Sequence, residues 1–224
     1  MTTPPPRAPE PVYAPLVDGR VFPVRRIYCV GRNYADHARE MGSDPDREPP
    51  FFFTKPRDAV VTRETAPYPP ATQDLHFEVE LVLALGAGGA DLSPEQAEAC
   101  VFGCAVGIDL TRRDLQAEAK KTGRPWDMAK GFDFSAPLGL ITAGSPPRTG
   151  AIRLAVDGEV RQSADVSDMI WGPGELLSHL SRLVTLEGGD LVYTGTPAGV
   201  GAVKPGQTLR AEIDGLAPLS IRIG

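Results

Sequence analysis

The stretch Leu75-His76-Phe77-Glu78-Val79-Glu80-Leu81-Val82-Leu83-Ala84-Leu85 restricts the fold more than any other part of the chain. Alternation in its first half and an unbroken apolar run in its second predict a strand entering a core. Side chains two positions apart share a strand face, so His76, Glu78 and Glu80 point one way and Phe77, Val79 and Leu81 the other. At a rise of about 3.3 Å per residue, the two glutamates sit roughly 7 Å apart at the backbone. Left unpaired they repel, and burial sharpens the repulsion. A divalent cation turns that liability into a site. The plain alternative is the wet face of an amphipathic strand, so a metal site needs a third ligand.

Asp109 is the candidate. It ends the apolar run Val101–Ile108, and carboxylates are rarely buried without a partner. Thr111, followed three residues later by Asp114, predicts the cap of a helix over 111–122. Asp109 is then left without a structural task. Glu78, Glu80 and Asp109 offer only oxygen, which suits Mg2+, Mn2+ or Ca2+ rather than zinc.

A second group of polar residues lies upstream. Arg26–Val30 reads as a short strand, Gly31 and Arg32 as a turn, and Asn33 as the cap of a helix over about 34–41. His37 and Glu40 are neighbours on one helical face, where a carboxylate orients an imidazole as a general base. An ordinary exposed pair is the alternative. The breaker-rich loop 42–50 reads as a lid or a plain surface loop. Phe51–Pro56 predicts a short buried strand that delivers Lys55 to its end.

Downstream, Ser93-Pro94-Glu95-Gln96 opens a helix with Ser at the cap and Pro at its first position. Arg113 and Gln116 share a face one turn from Asp109. Lys130, between apolar and Gly residues, reads as a desolvated cation at a pocket wall or as a surface lysine. Asp157-Gly158 between alternating segments signals a hairpin. Leu176, Leu177, Leu180 and Leu183 mark a helix over 175–184, on which His179 reads as structural. The Gly-rich loop 195–201 precedes no helix, so it is not a phosphate cradle. Its N–H groups and Thr hydroxyls suit a carboxylate. Residues 208–223 predict another strand pair.

With 224 residues and 42% hydrophobic content, one sizeable domain is expected. A net charge of −6 argues against a nucleic-acid partner. No apolar run approaches the roughly 18 residues of a membrane span, and the start lacks the apolar core of a signal peptide. Three cysteines without a CxxC pair point to reduced, buried thiols in a cytoplasmic protein. The expected organisation is a Pro-rich segment over 1–24, loose to about residue 12, and a catalytic domain over 25–224.

With these residues assembled, the chain resembles the fumarylacetoacetate hydrolase family from about Ile27 to the C-terminus. The motifs are Val30-Gly31-Arg32-Asn33-Tyr34-Ala35-Asp36-His37, His76-Phe77-Glu78-Val79-Glu80, Gly107-Ile108-Asp109-Leu110-Thr111-Arg112-Arg113-Asp114 and Thr194-Gly195-Thr196-Pro197-Ala198-Gly199-Val200-Gly201. The resemblance implies an α+β, mainly β fold, a mixed β-sandwich roll with a few short helices. It implies a homodimer, beside the expectation from charge, apolar runs and cysteines of a cytoplasmic protein with no membrane or nucleic-acid partner. It implies one Mg2+ or Mn2+ per subunit, with Ca2+ able to substitute, on Glu78, Glu80 and Asp109. His37 and Glu40 match a water-activating dyad, Lys130 and Gln116 match groups that polarise a substrate oxygen, and Arg32, Arg113 and Thr196 match positions near a substrate carboxylate. The activity implied is hydrolysis of a carbon–carbon bond in a 2-oxo, β-diketo acid. Glu40 through Phe53 most resembles members that cleave fumarylpyruvate to fumarate and pyruvate. Acylpyruvases and oxaloacetate decarboxylases are close rivals, and isomerase-decarboxylases of the family more distant ones.

Overall fold

The computed structural model describes residues 10–40 and 48–224, with side chains described for 10–37 and 48–224. A six-stranded mixed sheet runs in the order Thr142–Ala143, Val101–Ile108, Val79–Leu85, Leu191–Tyr193, Ile27–Gly31, Phe51–Lys55. A five-stranded sheet runs Glu159–Asp165, Ala151–Val156, Thr208–Ile213, Leu219–Ile223, Thr65–Ala66. The larger core fills the space between them, with Leu81, Leu83, Val106 and Ile108 meeting Ile152, Leu154, Leu209 and Ile213. A second core covers the opposite face of the six-stranded sheet, where Val82, Ala84, Leu191 and Tyr193 meet Ala14, Leu16, Phe22 and Val24. Val79–Leu85 is thus buried on both faces, which explains why its apolar run is continuous.

Ala14, Leu16, Phe22 and Val24 belong to the hairpin Val12–Pro15/Val21–Val24. From Val12 onward, the Pro-rich lead-in therefore helps build the core. The expected turn at Asp157-Gly158 forms, with positive φ at both residues (50° and 88°), the geometry of the tight hairpin turns. Ser93 and Gln96 make the reciprocal cap of the Pro94–Glu98 helix.

Four local expectations need correction. Leu75–Leu85 is two strands, Leu75–Phe77 and Val79–Leu85, placed in different sheets with Glu78 at the break. Phe51–Lys55 is an edge strand, half-exposed up to its buried end at Lys55; Phe51 and Phe53 are covered in part by Trp126. The helix expected from Thr111 begins at Arg113. Thr111 lies in a short strand beside His76, and Asp114 instead accepts from Thr72 Oγ1 and the Gln73 N–H. The leucine helix is Pro173–Ser181, and Leu183 beyond it is exposed.

Candidate metal centre and active site

Register brings the acids together. Val79 and Glu80 lie opposite Ile108 and Gly107 in the antiparallel pair, and the Asp109 N–H donates to the Glu78 carbonyl (2.8 Å). Gly107 leaves room beside Glu80 for Tyr193: a Cβ there would stand 2.7 Å from the Tyr193 ring. Ligand atoms of Glu78, Glu80 and Asp109 lie within 4.8 Å of one another, and all three residues are buried.

Cations surround this trio. Lys130 Nζ lies 2.8 Å from Glu78 Oε2, 2.7 Å from Asp109 Oδ2 and 2.6 Å from Thr111 Oγ1. Arg113 pairs with Glu78 Oε1 (2.5 Å) and donates to Gln116 Oε1 (2.6 Å). Its Nε donates to His76 Nδ1, while His76 Nε2 meets Asp74 (2.9 Å). His76 is thereby fixed as a neutral support for the arginine. Lys55 Nζ stands 2.8 Å from Asp109 Oδ1 as an ion pair, without the alignment of a hydrogen bond.

Glu80 is the exception. It accepts from the Gly195 N–H (2.7 Å) and has no lysine or arginine within salt-bridge distance among the described residues. Burial, then the neighbouring Asp109 and Glu78 charges, pushes its carboxyl well above the usual range. Burial would also raise Glu78, but Lys130 and Arg113 outweigh it and hold that carboxyl low. For Lys130, burial disfavours the charge, and Asp109 and Glu78 more than reverse this. A buried carboxylate without a cation, beside two others with open lone pairs, fits a hard divalent ion.

Gly195 has φ +94°, and a Cβ there would come 2.8 Å from Asn33 Cβ. Only glycine delivers this N–H to Glu80. The sequence predicts Asn33 as a helix cap. Its side chain instead bonds Trp171 N and O and the Thr194 carbonyl, tying the Gly-rich loop to the end of strand Ile27–Gly31. Thr196 Oγ1 accepts from Gln162 Nε2 (2.8 Å), which leaves its hydrogen to donate elsewhere.

One cavity gathers most of the residues singled out in the sequence. Arg32, His37, Glu78, Glu80, Arg113, Gln116, Lys130 and Thr196 all line it. Asp109 lies beneath, fully buried. Arg32 holds φ +59°, a strained conformation for a non-Gly residue that surrounding structure must enforce. Glu40 falls in the Ala35–Glu40 helix, but its side chain lies outside the described residues, as does most of the 42–50 loop. Two cations beside the trio are not site residues in the sequence reading: Lys55, placed at a strand end without a partner, and Lys120. Lys55 required the pairing of Ile27 with Lys55 at the sheet edge. Lys120 had a local signal, because Arg113, Gln116 and Lys120 repeat at helical spacing on one face.

These elements define a mixed-β protein that buries three carboxylates at strand ends, ringed by cations and opening into a cavity. The fumarylacetoacetate (FAA) hydrolase C-terminal family matches residues 26–223, and the chain belongs to this family, with its fold, as an enzyme of it. A fumarylpyruvate hydrolase from Ralstonia sp is 42% identical over 189 residues, covering 82% of this chain and 98% of the relative. A mitochondrial oxaloacetate decarboxylase of Dictyostelium discoideum is 40% identical over 197 residues, covering 86% and 90%. Among solved structures, fumarylpyruvate hydrolase from Pseudomonas aeruginosa in complex with Mn2+ and pyruvate has 54% identity and a TM-score of 0.93, with 97% of each chain covered. No described helix is long and apolar enough to cross a membrane.

Proposed function

We propose that the chain is a divalent-metal-dependent hydrolase of acylpyruvates, with fumarylpyruvate as the favoured substrate, acting as a homodimer. The observation that carries this is the cavity that joins His37, Lys130 and the Glu78/Glu80/Asp109 trio. The relative from Pseudomonas aeruginosa, with Mn2+ and pyruvate, supports it.

Mg2+ or Mn2+ on the trio would supply positive charge where negative charge develops on the substrate. The remaining roles belong to the chain. Arg32, Arg113 and the Thr196 hydroxyl hold the 2-oxo carboxylate end. Gln116 and Lys130 polarise the substrate oxygen. His37, oriented by Glu40, takes a proton from water as the water oxygen bonds to the distal keto carbon. The carbon–carbon bond then breaks. One product carries the new carboxylate, and the other leaves as the pyruvate enolate, which takes up a proton to give pyruvate.

Oxaloacetate decarboxylation is the second reading, favoured by the Dictyostelium relative. It needs the same stabilised enolate but no water attack. His37→Ala separates the two. Removing a general base is expected to lower acylpyruvate kcat about 10²–10⁴-fold and to spare oxaloacetate turnover. Steady-state assays on both substrates, with Mn2+ restored after chelation, check this. Equal loss on both removes the assigned role of His37. Oxaloacetate turnover by the unmutated enzyme with no acylpyruvate turnover removes the hydrolase reading.

A further inference from the structure

Five cations, Lys55, Lys130, Arg113, Arg32 and Lys120, accompany three carboxylates in and under the cavity. The site therefore carries two positive charges in excess before a divalent ion enters, within a chain of net charge −6. Lys55, Lys130 and Arg113 are each paired with Glu78 or Asp109. Arg32 and Lys120 have no carboxylate within salt-bridge distance among the described residues. Each instead stands over an aromatic ring: Arg32 is 5.5 Å from the Phe51 centroid and Lys120 Nζ is 5.2 Å from that of Trp126.

Lys120 also sits where the cavity has somewhere to lead. Phe51, Phe53, Trp126 and Lys130 line both this cavity and an adjoining one of about 520 Å³. Trp126, whose ring the Lys120 ammonium stands over, is part of the wall the two cavities share. Along the Arg113–Thr122 helix, Lys120 stands two turns from Arg113, about 10 Å by helical rise. A cation this far along the helix from the group that grips one carboxylate suits a second carboxylate on the far arm of the substrate.

We propose that Lys120 is a specificity-determining residue that binds a carboxylate on the acyl arm, so that the site selects dianionic acylpyruvates over those with neutral acyl groups. This rests on the acylpyruvate reading above. The excess charge supports it, since a dianion neutralises what a monoanion leaves exposed. A focused positive cavity also draws dianions faster.

The test compares Lys120→Gln and Lys120→Arg with the unmutated enzyme on fumarylpyruvate and on acetylpyruvate, whose acyl group is uncharged. Loss of one charge-assisted contact should lower the fumarylpyruvate-to-acetylpyruvate ratio of kcat/KM about tenfold or more, through KM. Lys120→Arg should restore most of the ratio. Calorimetric titration with fumarate, itself a dianion, should show binding weakened about tenfold in Lys120→Gln. An unchanged ratio, or equal loss on both substrates, overturns the proposal. If the unmutated enzyme hydrolyses neither acylpyruvate, the functional reading fails, and the fumarate titration alone decides Lys120: no binding, or equal binding by Lys120→Gln, overturns its role.

Discussion

Glu80→Gln is expected to abolish turnover and divalent-ion binding, yet to make the metal-free protein more stable. Glutamine keeps the size of the side chain and can still accept from the Gly195 N–H, which holds Glu80 Oε2 at 2.7 Å. It loses the charge. Glu80 lies 1% exposed, with the Asp109 and Glu78 charges beside it and burial raising its carboxyl. In the unfolded chain that carboxyl ionises freely at neutral pH. In the folded, metal-free chain it must either ionise against its neighbours or take up a proton, and both cost stability. Glutamine escapes this, so the metal-free variant is expected to melt several degrees higher. Loss of a ligand should weaken Mn2+ binding by more than the roughly 10–100-fold caused by losing a supporting partner. Calorimetric Mn2+ titration and thermal unfolding in chelator check the two halves. A variant that retains turnover, or that melts lower without metal, contradicts this account of Glu80.

Lys130→Met should act in the opposite sense on stability. Lys130 is 3% exposed and bridges Glu78 Oε2 and Asp109 Oδ2 at 2.8 and 2.7 Å. Methionine fills a similar volume but leaves both carboxylates short of a cation. Breaking a buried pair in this way costs about 3–5 kcal/mol, near 10 °C in Tm. Arg113 and Lys55 still offset part of the charge, which places the expected loss at the lower end. Divalent ions should recover more stability in this variant than in the unmutated chain, because the trio has lost an internal competitor. Catalysis should not recover, since the group that polarises the substrate oxygen is gone. Thermal unfolding with and without Mn2+, beside kcat, reads this out. A Tm in chelator within a degree or two of the parent would mean that the ammonium is not paired as described.

The acid trio was legible because two local patterns report it: alternation at Glu78 and Glu80, and an Asp closing an apolar run. The break at Glu78 was not, since the turn from one sheet to another depends on which strands arrive beside it. Thr111 shows how a local signal loses to tertiary structure. Its spacing to Asp114 fits a helix cap, but pairing with His76 draws it into a strand and its hydroxyl to Glu78 and Lys130. The place of Lys55 at a strand end is legible, but its partner Asp109 is not, because the ion pair joins segments far apart in the chain. Lys120 was visible in principle, sharing a helical period with Arg113 and Gln116. As a lysine in a last helical turn, it also satisfied the helix dipole, a sufficient explanation that concealed another role.

The most direct test of the carboxylate centre is anomalous diffraction from crystals of the unmutated enzyme soaked in Mn2+. One strong peak is expected in contact with oxygens of Glu78, Glu80 and Asp109, absent from Glu80→Gln crystals. A principal peak elsewhere, or one that survives in Glu80→Gln with occupancy intact, would contradict it.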